Sequence, residues 1–511
     1  MMLSLLVVVI VVVALVVVSA EDHNYLNYKC ALCINSIDYM QKNMPIIIGD
    51  SFDLGNACIL SYDDASLSHT ACDVLKGHTL TTTPLGDSRE SCISMQYCPN
   101  HDTTTTKSIT ADYKTTTTSN IDFKVSKALG SKGYNKIRIS VVSNSTIDNS
   151  LFTYQQQFKY KWTDNFLNSG IVDVNDGINN FFIGDNKFSI NIPKQGEGVR
   201  GIILSDPCFQ SNWISCKYKD TWQMFNRLSG ILNTINAHDD VSFYQILGDN
   251  FYDQTGLYTK QFFSALSPET KSKLFLSVLG NHDYWVMGTP MLKTQKDQYG
   301  NGFYQYYGQD VVASTSSSPY DFSVNPSTKN LPPAGNFFTY NQVGNIAFMA
   351  FSGAHSYAEN KPYFDEACQW AADDSIKLLF LEGHWNSDGD GSTDGAVPEV
   401  YTNLNQIPSC KAIYSKIRYF DGHKHCNMIT QKDIGFMVGA NGMSDSSCVN
   451  EFGIAVIDTT NDNFQINYFL ISTAADASVD NYSKIVDCVN EKGGISNCYS
   501  LATNWVNTPL N

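Results

Sequence analysis

Five short apolar runs, each ending in Asp, Asn or His, constrain this chain more than any other feature. They are Ile202-Ile-Leu-Ser-Asp206, Phe243-Tyr-Gln-Ile-Leu-Gly-Asp249-Asn-Phe-Tyr252, Leu274-Phe-Leu-Ser-Val-Leu-Gly-Asn281-His282-Asp283, Leu378-Leu-Phe-Leu-Glu-Gly-His384 and Ile417-Arg-Tyr-Phe-Asp-Gly-His423-Lys-His425. Runs of this length bounded by turn residues read as buried strands, and the stretches between them as helices, which predicts an α/β fold. Such sheets gather ligands beyond the carboxyl ends of their strands, so the five termini are expected to converge. The glycines before Asp249, Asn281, His384 and His423 let the backbone turn sharply at those points.

These residue types suit metal ions. Two cations a few ångströms apart need a carboxylate able to bridge them, oxygen and imidazole donors around the rim, and an open face for a phosphate and a hydroxide. Asp249 is the candidate bridge. An isolated GDN or GNHD would read as a capped turn, but five such termini in this order do not.

Charge removes one class of function. The chain carries 34 Lys plus Arg against 50 Asp plus Glu, a net charge of −16, and has no basic footprint for nucleic acid. Only 16% of its 511 residues are charged and 14 are Cys, a profile of exported enzymes. Leu3 and Leu5 to Val18 form an apolar run followed by Val18-Ser19-Ala20. This reads as a signal peptide over residues 1–20, cleaved after Ala20, and predicts a secreted protein or one of the lysosomal or endosomal lumen. A retained anchor is the alternative, because no Lys or Arg precedes the run. Asn144 and Asn481 head glycosylation sequons.

Residues 26–101 hold Cys30, Cys33, Cys58, Cys72, Cys92 and Cys98. An even set in so short an exported module reads as a disulfide framework whose pairing the spacing leaves open. Apolar residues at Leu32, Ile34, Ile37 and Met40, then at Ile59, Leu60, Leu67 and Val74, predict helices between the bridges. The module resembles the saposin B-type domain. That resemblance implies nested bridges, Cys30 with Cys98, Cys33 with Cys92 and Cys58 with Cys72, and a helical leaf able to contact lipid or a membrane surface. The plainer reading is a small stapled cap without lipid affinity. Glu21 to His101 includes ten acidic and four basic residues, so contact with anionic lipid is expected at acid pH only. A Thr-rich linker (102–120), a β-rich accessory segment (121–197), the α/β core (198–472) and a C-terminal extension (473–511) follow.

Residues 198–472, with the five motifs and Val438-Gly-Ala-Asn-Gly, resemble the calcineurin-like metallophosphoesterases. Gly248-Asp-Asn-Phe-Tyr252 is similar to the purple acid phosphatase branch. The resemblance implies a metallophosphoesterase β-sandwich flanked by helices. It implies iron(III) held by Asp206, Asp249, Tyr252 and His425, and a divalent metal (zinc, iron or manganese) held by Asp249, Asn281, His384 and His423. His282 would face a phosphate-ester substrate as phosphate-binding group or general acid. Other branches carry Asp-x-His on the first strand; here the third position is Cys208, so Tyr252 takes the place of that His. Ser205 stands where Gly is usual. Cys208 reads as a thiolate ligand or, preferably, as half of a disulfide with nearby Cys216. Cys368, Cys410, Cys426, Cys448, Cys488 and Cys498 complete an even eight that reads as structural bridges. His238 and His355 have no motif around them, and Asp388, Asp390 and Asp394 lack the full EF-hand pattern.

The activity expected is that of an acid phosphatase of the purple type, acting through a metal-bound hydroxide. One alternative is a phospholipid phosphodiesterase similar to acid sphingomyelinase, which also joins a saposin domain to a metallophosphoesterase. The other is a catalytically weak lipid-binding protein.

Overall fold

Strands buried on both faces must be covered on both, and the alternation of their side chains shows how. In the computed structural model, Ile202, Leu204, Tyr244 and Ile246 face one hydrophobic cluster, while Ile203, Phe243 and Leu247 face another. The structure describes residues 122–143, 156–159, 166–183, 186–209, 222–252, 257–283, 308–314, 333–389, 394–439, 451–473 and 479–510, with 52–53, 79–80, 92, 216, 391–392 and 448. The chain divides into two compact units, residues 1–116 with 292–296 and residues 117–291 with 297–511.

Little of the first unit is described. Phe52–Asp53 pairs antiparallel with Thr79–Leu80. Cys92 is buried and disulfide-bonded. The expected leader over residues 1–20, Cys30, Cys33, Cys58, Cys72 and Cys98 lie outside the described residues, as does Asn144.

The second unit begins with β1 (Asp122–Lys127), β2 (Lys136–Ser143), β3 (Gln156–Lys159) and β4 (Phe166–Asp173), then a hairpin of β5 (Gly177–Ile183) and β6 (Asn186–Ile192). β7 (Arg200–Leu204), α1 (Met224–Asn236), β8 (Phe243–Ile246), α2 (Leu257–Ala265) and β9 (Leu274–Ser277) form successive parallel crossovers. Next come β10 (Thr339–Val343), β11 (Ile346–Ala350), α3 (Tyr357–Trp370), β12 (Leu378–Glu382), α4 (Val397–Leu404) and β13 (Ile417–Asp421), in which β11, β12 and β13 are parallel neighbours. β14 (Met428–Gln431), β15 (Gly435–Met437), β16 (Glu451–Asp458), β17 (Asn463–Thr473), β18 (Val479–Asp480), α5 (Tyr482–Lys492) and β19 (Thr503–Pro509) complete the unit.

Two sheets result. The larger runs β18-β17-β16-β7-β8-β9-β1-β2-β4-β3, with β19 also paired to β17; the smaller runs β10-β11-β12-β13-β15-β14. Ile203, Phe243 and Leu276 of one meet Phe348, Phe380 and Phe420 of the other in a shared core. The outer face of the larger sheet packs on α1 and α5, and that of the smaller on α3 and α4. This is a β-sandwich between helical layers, as expected.

Most of the segment over 121–197 is not a separate sheet. β1 pairs parallel with β9, and Arg138 on β2 binds buried Asp310 at 2.8 Å, so β1 to β4 extend the larger sheet as an insertion, while β5 and β6 pair only with each other. The C-terminal extension likewise adds β19 to that sheet and is closed by Cys488–Cys498. Cys208–Cys216, Cys368–Cys410 and Cys426–Cys448 are the other disulfides among the described residues. Asn481 stands at the start of α5, and its Nδ2 donates to Leu470 O at 3.2 Å. His355 is buried against Phe337, and His238 Nε2 lies 3.4 Å from Asn490 Oδ1, both remote from the motifs in role. Asp394 accepts from Tyr357 N at 2.8 Å, and Asp390 lies outside the described residues.

Candidate metal centre

All five predicted strand ends carry their polar residues to one place, although they belong to two sheets. β7, β8 and β9 of the larger sheet deliver Asp206, Asp249 with Tyr252, and Asn281 with His282; β12 and β13 of the smaller deliver His384, and His423 with His425. Two donor groups form there. Asp249, His384 and His423 make one, and Asp206, Asp249 and His425 the other, with one ligand atom from each residue within 4.8 Å of the others in its group. Asp249 is common to both, the position expected of a bridge.

The remaining predicted residues join this frame by contact. Tyr252 donates its phenol to Asp206 Oδ1 at 3.0 Å and stands 2.9 Å from His425 Nε2, which is itself 3.5 Å from Asp206 Oδ1. Asn281 Oδ1 lies 3.1 Å from His423 Nδ1. His282 belongs to neither group. Its backbone N–H donates to Asp249 Oδ1 at 2.8 Å, and its ring is 5.0 Å from that of Tyr252.

The local backbone is strained where it presents these side chains. Asp206, Asp249, Tyr252, His423 and His425 all have φ between 48° and 70°, a region that non-glycine residues rarely occupy. Strain of this kind persists only where surrounding structure imposes it, and it concentrates at functional sites. A Cβ on Gly280 would lie 2.2 Å from Asp249 Oδ1 and 2.3 Å from Asp249 N. Gly280→Ala is therefore expected to displace the common carboxylate and lower activity about 100-fold or more. Wild-type turnover in that variant would contradict the tight packing at Asp249.

The donor chemistry fits cations. His384 Nδ1 lies 2.8 Å from Leu247 O and donates to it, which turns Nε2 toward Asp249 Oδ2 at 3.2 Å. Neither atom has a hydrogen-bond partner beyond this ion pair, whose place a metal cation can take. Burial lowers the His384 pKa, but the carboxylates of Asp249 and Asp206 outweigh it and raise the imidazole to about 10. Burial alone would raise Asp249, yet His384 and His282 hold its carboxyl far below the usual range. Burial first, then Asp206 and Asp249, push the Tyr252 phenol well above its ordinary value. At neutral pH both His384 and Tyr252 thus keep a proton that a cation must displace. Metal uptake is expected to release protons and to strengthen as pH rises, read by calorimetry in buffers of different ionisation enthalpy. Uptake without proton release would contradict both ligand roles.

Several supporting groups escaped the sequence reading. Ser205, read there only as a replacement for Gly, donates from Oγ to Asp206 Oδ2 at 2.6 Å and so orients that carboxylate. Asp283 accepts from Asn250 N at 2.7 Å and from Gly280 N at 2.6 Å, tying the Asp249 loop to the Asn281 loop. Burial and the Asp249 charge push its carboxyl up to about 7. Glu382, raised by burial to about 8, takes a hydrogen bond from Gln245 and links the two sheets beneath the site. Their signal was an acidic or hydroxyl residue inside an apolar run, which gains meaning only when its partner strand is known.

No protein-family model and no curated protein matches the chain. Solved structures do. A purple acid phosphatase from yellow lupin (Lupinus luteus) seeds is 12% identical, with a TM-score of 0.45 over 68% of this chain and 71% of that one. PhoD is 10% identical with a TM-score of 0.38, over 69% and 87%. A single mutant of Vps29 from Entamoeba histolytica is 9% identical with a TM-score of 0.24, over 53% and 92%. Likeness at these values says nothing about chemistry, which the side chains themselves must carry.

Proposed function

We propose that this chain is a binuclear metallophosphoesterase of the calcineurin-like type, and that it hydrolyses phosphate monoesters as an acid phosphatase of the purple type. The observation that carries the reading is the pair of donor groups sharing Asp249, with the Tyr252 phenol against one of them. Asp206, Asp249, Tyr252 and His425 would hold iron(III), since an anionic phenolate is a hard donor that favours a trivalent ion. Asp249, Asn281, His384 and His423 would hold a divalent ion, zinc, iron or manganese. When bound, such a pair supplies Lewis acidity to a phosphoryl oxygen and lowers the pKa of water.

The chain's own residues supply the rest. Asp249 keeps the two donor groups in one geometry, because its Oδ1 is pinned by the His282 N–H while Oδ2 faces His384. Ser205 donates to Asp206 and fixes its carboxylate plane, while the Tyr252 phenol donates to its other oxygen until a cation displaces that proton. The His282 imidazole, outside both groups yet beside Tyr252, would bind a phosphoryl oxygen and hand a proton to the leaving oxygen. Four disulfides among the described residues suit an oxidising compartment, in keeping with a leader over residues 1–20 and a secreted or lysosomal protein.

A phospholipid phosphodiesterase is the second reading, and the six-cysteine module at residues 26–101 is what favours it. One assay separates the two. The purified full chain is given a soluble phosphomonoester or sphingomyelin in liposomes at acid pH, with Asp249→Ala as control. Faster turnover of the monoester is the expected result; preference for sphingomyelin would mean that the module presents lipid to the metal centre. Inactivity toward both would return the chain to a lipid-binding role.

A further inference from the structure

We propose that the Cys208–Cys216 disulfide is a positioning element of the metal centre, holding the Tyr252 phenol and the Asp206 carboxylate in place; this rests on the metallophosphoesterase reading above. Cys208 and Cys216 are buried in a cluster whose third member is Tyr252. With Sγ bonded to Cys216, Cys208 cannot ligate as a thiolate. It contributes packing against the side chain that stands in for the imidazole found in Asp-x-His sequences.

The backbone around this contact explains why packing is needed. Asp206, Phe251 and Tyr252 have φ of 53°, 68° and 52°, and none is glycine. Conformations so rarely populated relax unless neighbours oppose it. Two backbone bonds join the loops, from Asp206 N to Gly248 O at 3.2 Å and from Phe209 N to Phe251 O at 3.3 Å. The Phe209 ring stacks on Phe251 with centroids 5.0 Å apart and planes 13° apart. Pro207 offers no N–H between these bonds. The bridge lies in that gap, against the Tyr252 ring. By contrast, Cys368–Cys410 sits in the helical side of the smaller sheet's core, away from the donor groups.

The test uses the full chain loaded with iron(III) and zinc, as wild type, Tyr252→Phe and the double variant Cys208→Ala with Cys216→Ala. Wild type should show the visible band of a phenolate bound to iron(III), and Tyr252→Phe should lack it. The double variant is expected to keep its zinc while ferric occupancy falls about tenfold, with the residual band displaced, the scale seen when a group supporting a ligand is lost. An unchanged band with full ferric occupancy would overturn the proposal.

Should the double variant not fold, the wild type answers by reciprocity. If the bridge favours the ferric ion, that ion must favour the bridge by the same factor. A small dithiol reduces the disulfide to two thiols and is itself oxidised to a cyclic disulfide; the freed thiols are then alkylated. At equilibrium with the dithiol and its cyclic disulfide, iron loading is expected to lower the ratio of thiol to disulfide at Cys208 and Cys216, read by that labelling, about tenfold relative to Cys368 and Cys410, and an equal change at both pairs would overturn the proposal. A wild type that binds neither metal would overturn the metallophosphoesterase reading itself, and this proposal with it.

Discussion

Asp249→Ala is expected to strip both metals and to lower hydrolysis about 1,000-fold or more, because a single carboxylate serves both donor groups. No neighbour can replace it. Asp206 shares one group only, and Asp283, although close, spends its oxygens on Asn250 and Gly280. The substitution also removes the charge that raises His384, so that imidazole titrates at a lower pH in the variant. Metal analysis of the folded variant, checked by circular dichroism, is the measurement. Two ions still bound per chain would contradict the bridging role.

His282→Ala should behave in the opposite way toward metal. Its contact with Asp249 runs through the backbone N–H, which alanine retains, and its imidazole is in neither donor group. Both metals are expected to stay while turnover falls by about 100- to 1,000-fold, the range for a lost proton donor. The loss should depend on the substrate. An aryl ester with an acidic leaving group needs little protonation and should lose less than an alkyl ester. Equal losses for the two would exclude a general acid, leaving His282 a phosphate-binding role.

The contrast between these two variants rests on a distinction that the resemblance implied but residue type alone does not make. Asp249 and His282 both stand just past a Gly at the end of an apolar run, and residue type alone marks either as a ligand. Only the folded backbone shows that one side chain faces a shared point while the other turns aside.

Much else was legible from local order. The five strand ends, the candidate bridge at Asp249, the Cys208–Cys216 pair and the burial of alternate residues all follow from short-range pattern, because strand periodicity and turn chemistry are properties of neighbouring residues. The chain alone therefore determined that five polar termini exist, in what order, and which donor types each carries. What only the tertiary structure decided is their partition between two sheets, the sharing of Asp249 by two groups, and the entry of β1 to β4 into the larger sheet. The support of Asp206 by Ser205 and of Glu382 by Gln245 belongs there too. The physical reason is range. Ser205 and Asp206 are adjacent, yet the orientation of their bond depends on Leu247 at the end of the neighbouring strand and on Gly422 across the sandwich, and Gln245 and Glu382 lie 137 positions apart in the chain. Contacts of that separation are set by how the two sheets pack, which no local pattern encodes.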